Sequence, residues 1–496
     1  MELQWDKQVI SCLRHKTREV QNQELTQELR LTDGMPDVGR VICAWGQSVL
    51  RSKEWNGDGM RISGGVMAWV LYAPEDGSEP RSTELWLPFQ MRWNFPQSRR
   101  DGYIRANVQL RGVDARVLSA RKMMVRAGVS ILGEALEPED AESYTPGAVP
   151  EDLQLLRRTY PMQRMAEAGE KVFLLDEDVP FDMVRPRKII SYCVNPCLTE
   201  RKVLGGKATF RGTGLLHMVY QGEDDAIHSF DGQLPFAQYT DLDRDYDKDA
   251  DISVCMAVSS LEVDMGEENL RVKCGLIAQY LVLEQTLMDL VEDAYSPTRE
   301  IESLIAEMDS PVVLDRFDRE IELQTSVPVT PEQIIDVTAY TDQPTQRSDE
   351  HSLEAEVPAM VQVLYRDQDG SLASAAGRVM GQLSISCCDE CRLTLYPHYC
   401  GDMRVESDGE QTGFRFDVNM EALTTAQQTM RILSGVRLGE PVKQPADNPS
   451  LILRRSGGAS LWDLAKMSGS TVSAIRKANA LEGEPADDRM LLIPVL

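Results

Sequence analysis

Ten cysteines and five histidines are the soft donors and nucleophiles of this 496-residue chain. The densest group is Cys387-Cys388-Asp389-Glu390-Cys391, followed by His398 and Cys400. Thiolates and an imidazole suit Zn2+. The spacing is not that of a zinc finger and the flanking sequence reads as β, so buried strand thiols are the preferred reading. A second group alternates along the chain: Asp241, Asp243, Asp245, Asp247, Asp249 and Asp251. On an extended backbone six carboxylates would share one face and could hold Ca2+. An EF-hand frame fails, because Tyr246 would take its sixth position and Ile252 its twelfth. An acidic loop, or a strand edge charged against pairing, is preferred. Gly205-Gly206-Lys207 lacks the upstream Gly and the following Ser or Thr of a phosphate loop. Gly46-Gln47-Ser48-Val49-Leu50 ends in the wrong residue for a nucleophile elbow. His15, His217, His228, His351 and His398 are scattered, none in a His-Glu-x-x-His frame. No catalytic, cofactor-binding or metal-binding residue is assigned, and the chain is expected not to be an enzyme.

Composition narrows the partners. With Lys+Arg 52 against Asp+Glu 79 the net charge is -27, which opposes phosphate backbones and anionic membrane surfaces. Hydrophobic residues at 42% are enough for a folded globular chain. The N-terminus lacks a basic start followed by an apolar run, and no stretch reaches the length of a membrane span. The expectation is a cytoplasmic protein with mostly free thiols.

The elements that would position any site are repeated. Val70-Leu71-Tyr72 leads into Glu75-Asp76-Gly77, Met218-Val219-Tyr220 into Glu223-Asp224-Asp225, and Val363-Leu364-Tyr365 into Asp367, Asp369 and Gly370. The tyrosines are 148 and 145 residues apart. Pro36, Pro186 and Pro331 precede them by 36, 34 and 34 residues, and Val41-Ile42, Ile189-Ile190 and Ile334-Ile335 follow the prolines. Leu87-Pro88-Phe89 matches Leu234-Pro235-Phe236, while the third copy has Met380-Gly381-Gln382. An apolar strand running into an acidic, Gly-containing turn is a hairpin signal. Each copy therefore reads as β-rich, and segments near 137–150 and 296–310, rich in Pro, Glu and Ser, read as junctions. Six of the seven tryptophans (Trp5, Trp45, Trp55, Trp69, Trp86 and Trp93) fall in the first copy, as core or as an interaction surface.

After a proline-bearing linker at 441–450 the pattern changes. Leu451-Ile452-Leu453 reads as a strand, Gly457-Gly458 as a turn, and Ser460 caps a helix with Asp463 three residues on. Thr471 caps a second helix, Asn479 ends it, and Leu491-Leu492-Ile493-Pro494 is a closing strand. Residues 451–496 carry six basic and five acidic residues, so the acidity lies in the first 450.

This strand–helix–helix–strand segment resembles the LysM module over Gly458-Ala459-Ser460-Leu461-Trp462, Thr471 to Leu481, and Leu491 to Pro494. In that family the groove for N-acetylglucosamine glycans lies between the loop after the first strand and the loop after the second helix. The resemblance places a partner- or glycan-binding site at Gly457, Gly458, Ser460, Trp462, Asn479, Leu481 and Gly483, with Ser460 and Asn479 central. Here Gly458-Ala459-Ser460 stands where the family usually has Gly-Asp-Thr. The repeats resemble the SPOCS domain of endospore-forming bacteria. That resemblance rests on Asp33 to Val38 before Trp45-Gly46-Gln47, on Gly64 to Gly77, and on Leu87-Pro88-Phe89.

Together the resemblances imply a mainly β protein with SPOCS-like repeats at 1–143, 144–298 and 299–440, a linker at 441–450, and a small α+β (βααβ) LysM domain at 451–496. They imply a non-enzymatic scaffold of the spore envelope, made in the mother-cell cytoplasm and held at the forespore surface. Its LysM domain would dock on a coat protein or on the ATPase of the coat basement layer. The alternative is a peptidoglycan-binding protein of cell wall or spore cortex. No nucleic acid, membrane span or cofactor is implied.

Overall fold

The computed structural model describes residues 5–98, 101–181, 183–266, 269–349, 352–386, 391–399, 403–407, 411–442, 449–485 and 489–496. It is mainly β. The first strands are β1 (Trp5–Arg30), β2 (Val38–Trp55), β3 (Gly59–Pro74), β4 (Arg81–Asn94), β5 (Tyr103–Ser119) and β6 (Lys122–Pro146). They make two antiparallel sheets, a head sheet ordered β2-β3-β4 and a stem sheet ordered β1-β6-β5. The order recurs in β7 (Gln154–Pro180), β8 (Pro186–Leu204), β9 (Lys207–Gly222), β10 (Ile227–Asp241), β11 (Asp251–Met265) and β12 (Asn269–Tyr295), as β8-β9-β10 and β7-β12-β11.

A third unit comprises β13 (Arg299–Val327), β14 (Gln333–Thr341), β15 (Thr345–Asp349), β16 (Ser352–Arg366), β17 (Leu372–Ser386), β18 (Arg392–Tyr399), β19 (Arg404–Ser407) and β20 (Thr412–Pro441). Its stem sheet runs β13-β20-β18, and β16 is the centre of its head sheet, flanked by β14, β15 and β17. The chain ends in β21 (Leu451–Arg455), α1 (Leu461–Met467), α2 (Val472–Asn479) and β22 (Met490–Pro494), with β21 paired to β22.

Local chemistry explains these elements. In β4, Leu87, Phe89, Met91 and Trp93 are buried while Pro88, Gln90, Arg92 and Asn94 are exposed, the period-2 pattern of a half-buried strand. Pro88 and Pro235 lie in β4 and β10, both at head-sheet edges, where a missing N–H costs no ladder bond. The turn after each repeated tyrosine has a left-handed residue at the same offset: Gly77 (φ 75°), Asp225 (φ 65°) and Gly370 (φ 79°). This is why Gly ends the phrase in two copies. Tyr72 Oη also donates to the Pro36 carbonyl at 3.2 Å, joining two of the repeated landmarks.

The three units share one interior. At the head end Ile42, Ile190 and Ile335 meet in a single apolar cluster. At the other end the long strands leave their sheets as three two-stranded ribbons, β1/β6, β7/β12 and β13/β20. The ribbons pack through successive apolar layers. One contains Leu13, Leu136, Met165, Leu283, Val313 and Leu423, and the next Met162, Met288, Leu290, Val312, Met430 and Ile432. The segments read as junctions at 137–150 and 296–310 are mostly strand: β6 continues to Pro146 and β13 starts at Arg299, leaving only short turns. Their Glu, Ser and Pro are tolerated because a ribbon keeps one face in water.

Candidate functional site

The terminal module sits on the stem tip. Trp462 Nε1 and Lys466 Nζ both donate to Asp293 of β12, at 2.9 Å and 2.7 Å. The Trp462 ring meets Tyr295 edge-on, with centroids 4.7 Å apart. Leu461, Leu464, Ala465, Ile475, Leu491 and Ile493 form the module's core, which Tyr295 joins from the stem. Ser460 caps α1 by accepting from Asp463 N, and its hydroxyl donates to the Asp463 carboxylate at 2.6 Å. Thr471 caps α2 in the same way through Ala474 N.

Beside Ser460, which is spent as the cap of α1, the residues assigned to binding divide into three groups. Gly457, Gly458 and Gly483 are exposed, and no atom stands within 4 Å of where their Cβ would be. Leu461 N donates to Glu484 at 2.8 Å, so the two loops are tied side by side. Trp462 and Leu481 pack on the module core. Asn479 is committed inward: its amide donates to Ile475 O and Leu492 O and accepts from Leu492 N. Asn479 stays helical, and the left-handed residue that ends α2 is Ala480 (φ 51°).

Deeper in the molecule a belt of polar groups crosses the interior between head and stem. Glu134 of β6, Gln279 of β12 and Glu421 of β20, one from each stem sheet, are all nearly fully buried. Arg105 of β5, 2% exposed, reaches Ser253 of β11 at 2.9 Å and Tyr396 of β18 at 3.2 Å. Glu134 accepts from Tyr396 Oη at 2.7 Å and from His15 Nε2 at 3.0 Å, with Arg105 at 3.7 Å. Burial alone would raise the Glu134 pKa; Arg105 and the His15 and Tyr396 donors outweigh it and bring it down to about 2. Burial pushes the His15 pKa down, against the pull of Glu134. Gln279 bonds the backbone of Ala106 on both sides and accepts from Lys53 Nζ at 2.8 Å.

Beside the belt lies a cavity of about 140 Å3 lined from all three units, including Gln47, Asn195 and Tyr340. Towards the head, His217 bridges two carboxylates, Asp231 at 2.7 Å and Asp336 at 2.6 Å, and Trp45 Nε1 donates to Asp336 at 2.8 Å. Burial lowers the His217 pKa, but the two aspartates override it and hold it well above the usual imidazole value. Trp45, His217 and Asp336 come from three different repeats, as do Arg105, Ser253 and Tyr396. The one local signal for them is a carboxylate or amide inside an apolar strand, as in Gly133-Glu134-Ala135.

The other two groups behave differently from their motifs. Asp241 ends β10, and residues 242–250 leave the extended form: Tyr246 is buried, donates to Glu167 at 3.0 Å, and stacks under Arg244. No group of three His, Cys, Asp or Glu converges as a metal site among the described residues. Of the Cys387–Cys400 group, Cys387, Cys388 and Cys400 lie outside the described residues, and Cys391 is disulfide-bonded, which departs from the reading of strand thiols. Cys12, Cys43, Cys193, Cys255 and Cys274 carry thiols. Of the tryptophans, Trp45, Trp69 and Trp93 are buried core residues.

These features define a β protein whose three like units enclose a polar belt and raise a stem that carries a small terminal module. Residues 186–266, which span β8 to β11, match the family model described as SipL, SPOCS domain. The likeness to a SPOCS domain is thus placed on the second unit, at residues 186–266. Neither a curated protein nor a solved structure matches it. No helix among the described residues is long and apolar enough to cross a membrane.

Proposed function

We propose that this chain is a non-enzymatic scaffold of the spore envelope, whose LysM-like terminal module docks on a coat protein or on the coat basement-layer ATPase. The observation that carries the reading is the SPOCS match at 186–266, a domain consistent with sporulation. Its setting supports it: the matched strands belong to a unit built three times around one stem, with the module at the tip. The inward commitment of the Asn479 amide favours a protein over a sugar as occupant of the loops, because a sugar site needs free polar groups. On this reading the chain acts in the mother-cell cytoplasm at the forespore surface. A fluorescent fusion in sporulating cells should form a ring or cap on the mother-cell side of the forespore, and deleting 451–496 should release it. Signal at the outer wall, with co-sedimentation of the chain on purified peptidoglycan, would replace this reading by glycan binding.

A further inference from the structure

The repeated tyrosine phrase has a role that scaffolding does not absorb. Its three hairpin turns meet at the head end of the molecule, around a depression of about 400 Å3. Residues 73–82 come from the first unit, 221–227 from the second and 366–372 from the third. Ile42, Ile190 and Leu372 line it from the apolar cluster beneath.

Three cations line the same depression, one from each unit: Arg40, Lys188 and Arg366. Each has a hydrogen bond to a backbone carbonyl, Arg40 to Leu372 at 2.7 Å, Lys188 to Ser82 at 3.2 Å and Arg366 to Gly370 at 2.9 Å. None of the three pairs with a carboxylate among the described residues, although acidic residues outnumber basic ones by 79 to 52. The one carboxylate in the lining, Asp225, is engaged by Arg187, which also holds Glu79. Burial first, and the neighbouring Arg81 second, lower the Lys188 pKa. In a chain this acidic, three unneutralised cations gathered from three units form an arrangement that an anion would complete.

We propose that this depression binds a small multivalent oxyanion, clamped by Arg40, Lys188 and Arg366. The anion has phosphate or polycarboxylate chemistry. Its size is that of an ordinary small-molecule site. Because each cation comes from a different unit, occupancy ties the three heads together and raises stability in proportion to the logarithm of ligand concentration.

The test is titration calorimetry of the full chain in chloride buffer at pH 7, with inorganic pyrophosphate and with citrate as probes. One saturable site per chain is expected, weakened about tenfold in Arg40→Gln and lost in the Arg40→Gln/Lys188→Gln/Arg366→Gln variant. Arg126→Gln, an exposed cation on β6, should bind as the unaltered chain does. Binding of pyrophosphate alone assigns a phosphate ligand, and binding of citrate alone a polycarboxylate. If the triple variant fails to fold, Arg40→Gln against Arg126→Gln still decides. The proposal is overturned if neither probe saturates at millimolar concentration, or if Arg40→Gln binds as tightly as Arg126→Gln. The fusion experiment above is unaffected by either outcome.

Discussion

Replacing Glu134 by Gln tests whether the buried belt is held by charge. The substitution keeps shape and one acceptor but leaves Arg105, 2% exposed, without its compensating carboxylate. Breaking a buried ion pair by removing one partner costs about 3–5 kcal/mol. An independent estimate comes from linkage: lowering a carboxyl from 4.5 to about 2 corresponds to ~3 kcal/mol at 1.36 kcal/mol per unit. The two agree, so about 3 kcal/mol is expected at pH 7. Amide hydrogen exchange at Ala106 and Val254, whose N–H groups bond Gln279 and Glu421, reads the local opening free energy without requiring two-state unfolding of the whole chain. The Glu134 pKa is depressed in the fold, so its contribution is present above pH 4.5. It fades as pH falls towards 2. The gap between the parent and Glu134→Gln should therefore hold from pH 7 to pH 4.5 and narrow below. A variant within about 1 kcal/mol of the parent at pH 7, or a gap indifferent to acid, would refute the charge argument.

Three further outcomes follow from the geometry. The His217 pKa is raised, so its contribution is complete below pH 6.5 and is lost as pH climbs through the elevated value; exchange in β9 and β14 should accelerate on the alkaline side, and His217→Gln should flatten that dependence. Gly370→Val should cost about 1–2 kcal/mol through its φ of 79° alone, since no atom stands within 4 Å of the new Cβ; a melting temperature equal to the parent's would contradict this. Asp293→Ala removes the acceptor shared by Trp462 and Lys466 and should cost about 1 kcal/mol of docking, after screening of the half-exposed Lys466, read as faster exchange in α1 with the stem unchanged.

Local rules read much of this fold. The tyrosine phrase, its prolines and the Leu-Pro-Phe triplet carry strand, turn and edge information in their own chemistry, and the turns have left-handed residues where Gly stood or was replaced by Asp225. Ser460 and Thr471 were legible as caps because a cap is satisfied within three residues. What local pattern could not show was pairing at long range. Asp293 lies 169 residues before Trp462, and nothing near Trp462 marks it as a residue turned towards a stem. Arg105 meets residues 148 and 291 positions away, so the belt exists only once the units pack. Asn479 looked available because a polar residue at a helix end usually is; Leu492 of β22 and its own helix at Ile475 take up its amide. The junction segments misled because Pro, Glu and Ser suit the wet face of a ribbon as well as a loop.

The stem also sets an order of assembly. In each unit the first strand pairs with the last, so the separation in sequence grows towards the stem tip: Arg30 meets Lys122, but Trp5 meets Pro146. The head meanders β2-β3-β4 and β8-β9-β10 need only neighbours in sequence. During synthesis each head can form as it emerges, while β1, β7 and β13 wait as open edges for the strand that closes them. The apolar ribbon layers need all three closures, because one draws its buried residues from every unit and the next, built from the second and third, has Tyr144 of the first packed against it. The stem is thus the last part of the body to become solid, and the module can take its seat only on a completed tip. A chain stopped before β20 would present finished heads and two ribbons with an unfilled apolar side, the state from which mispairing between chains would start.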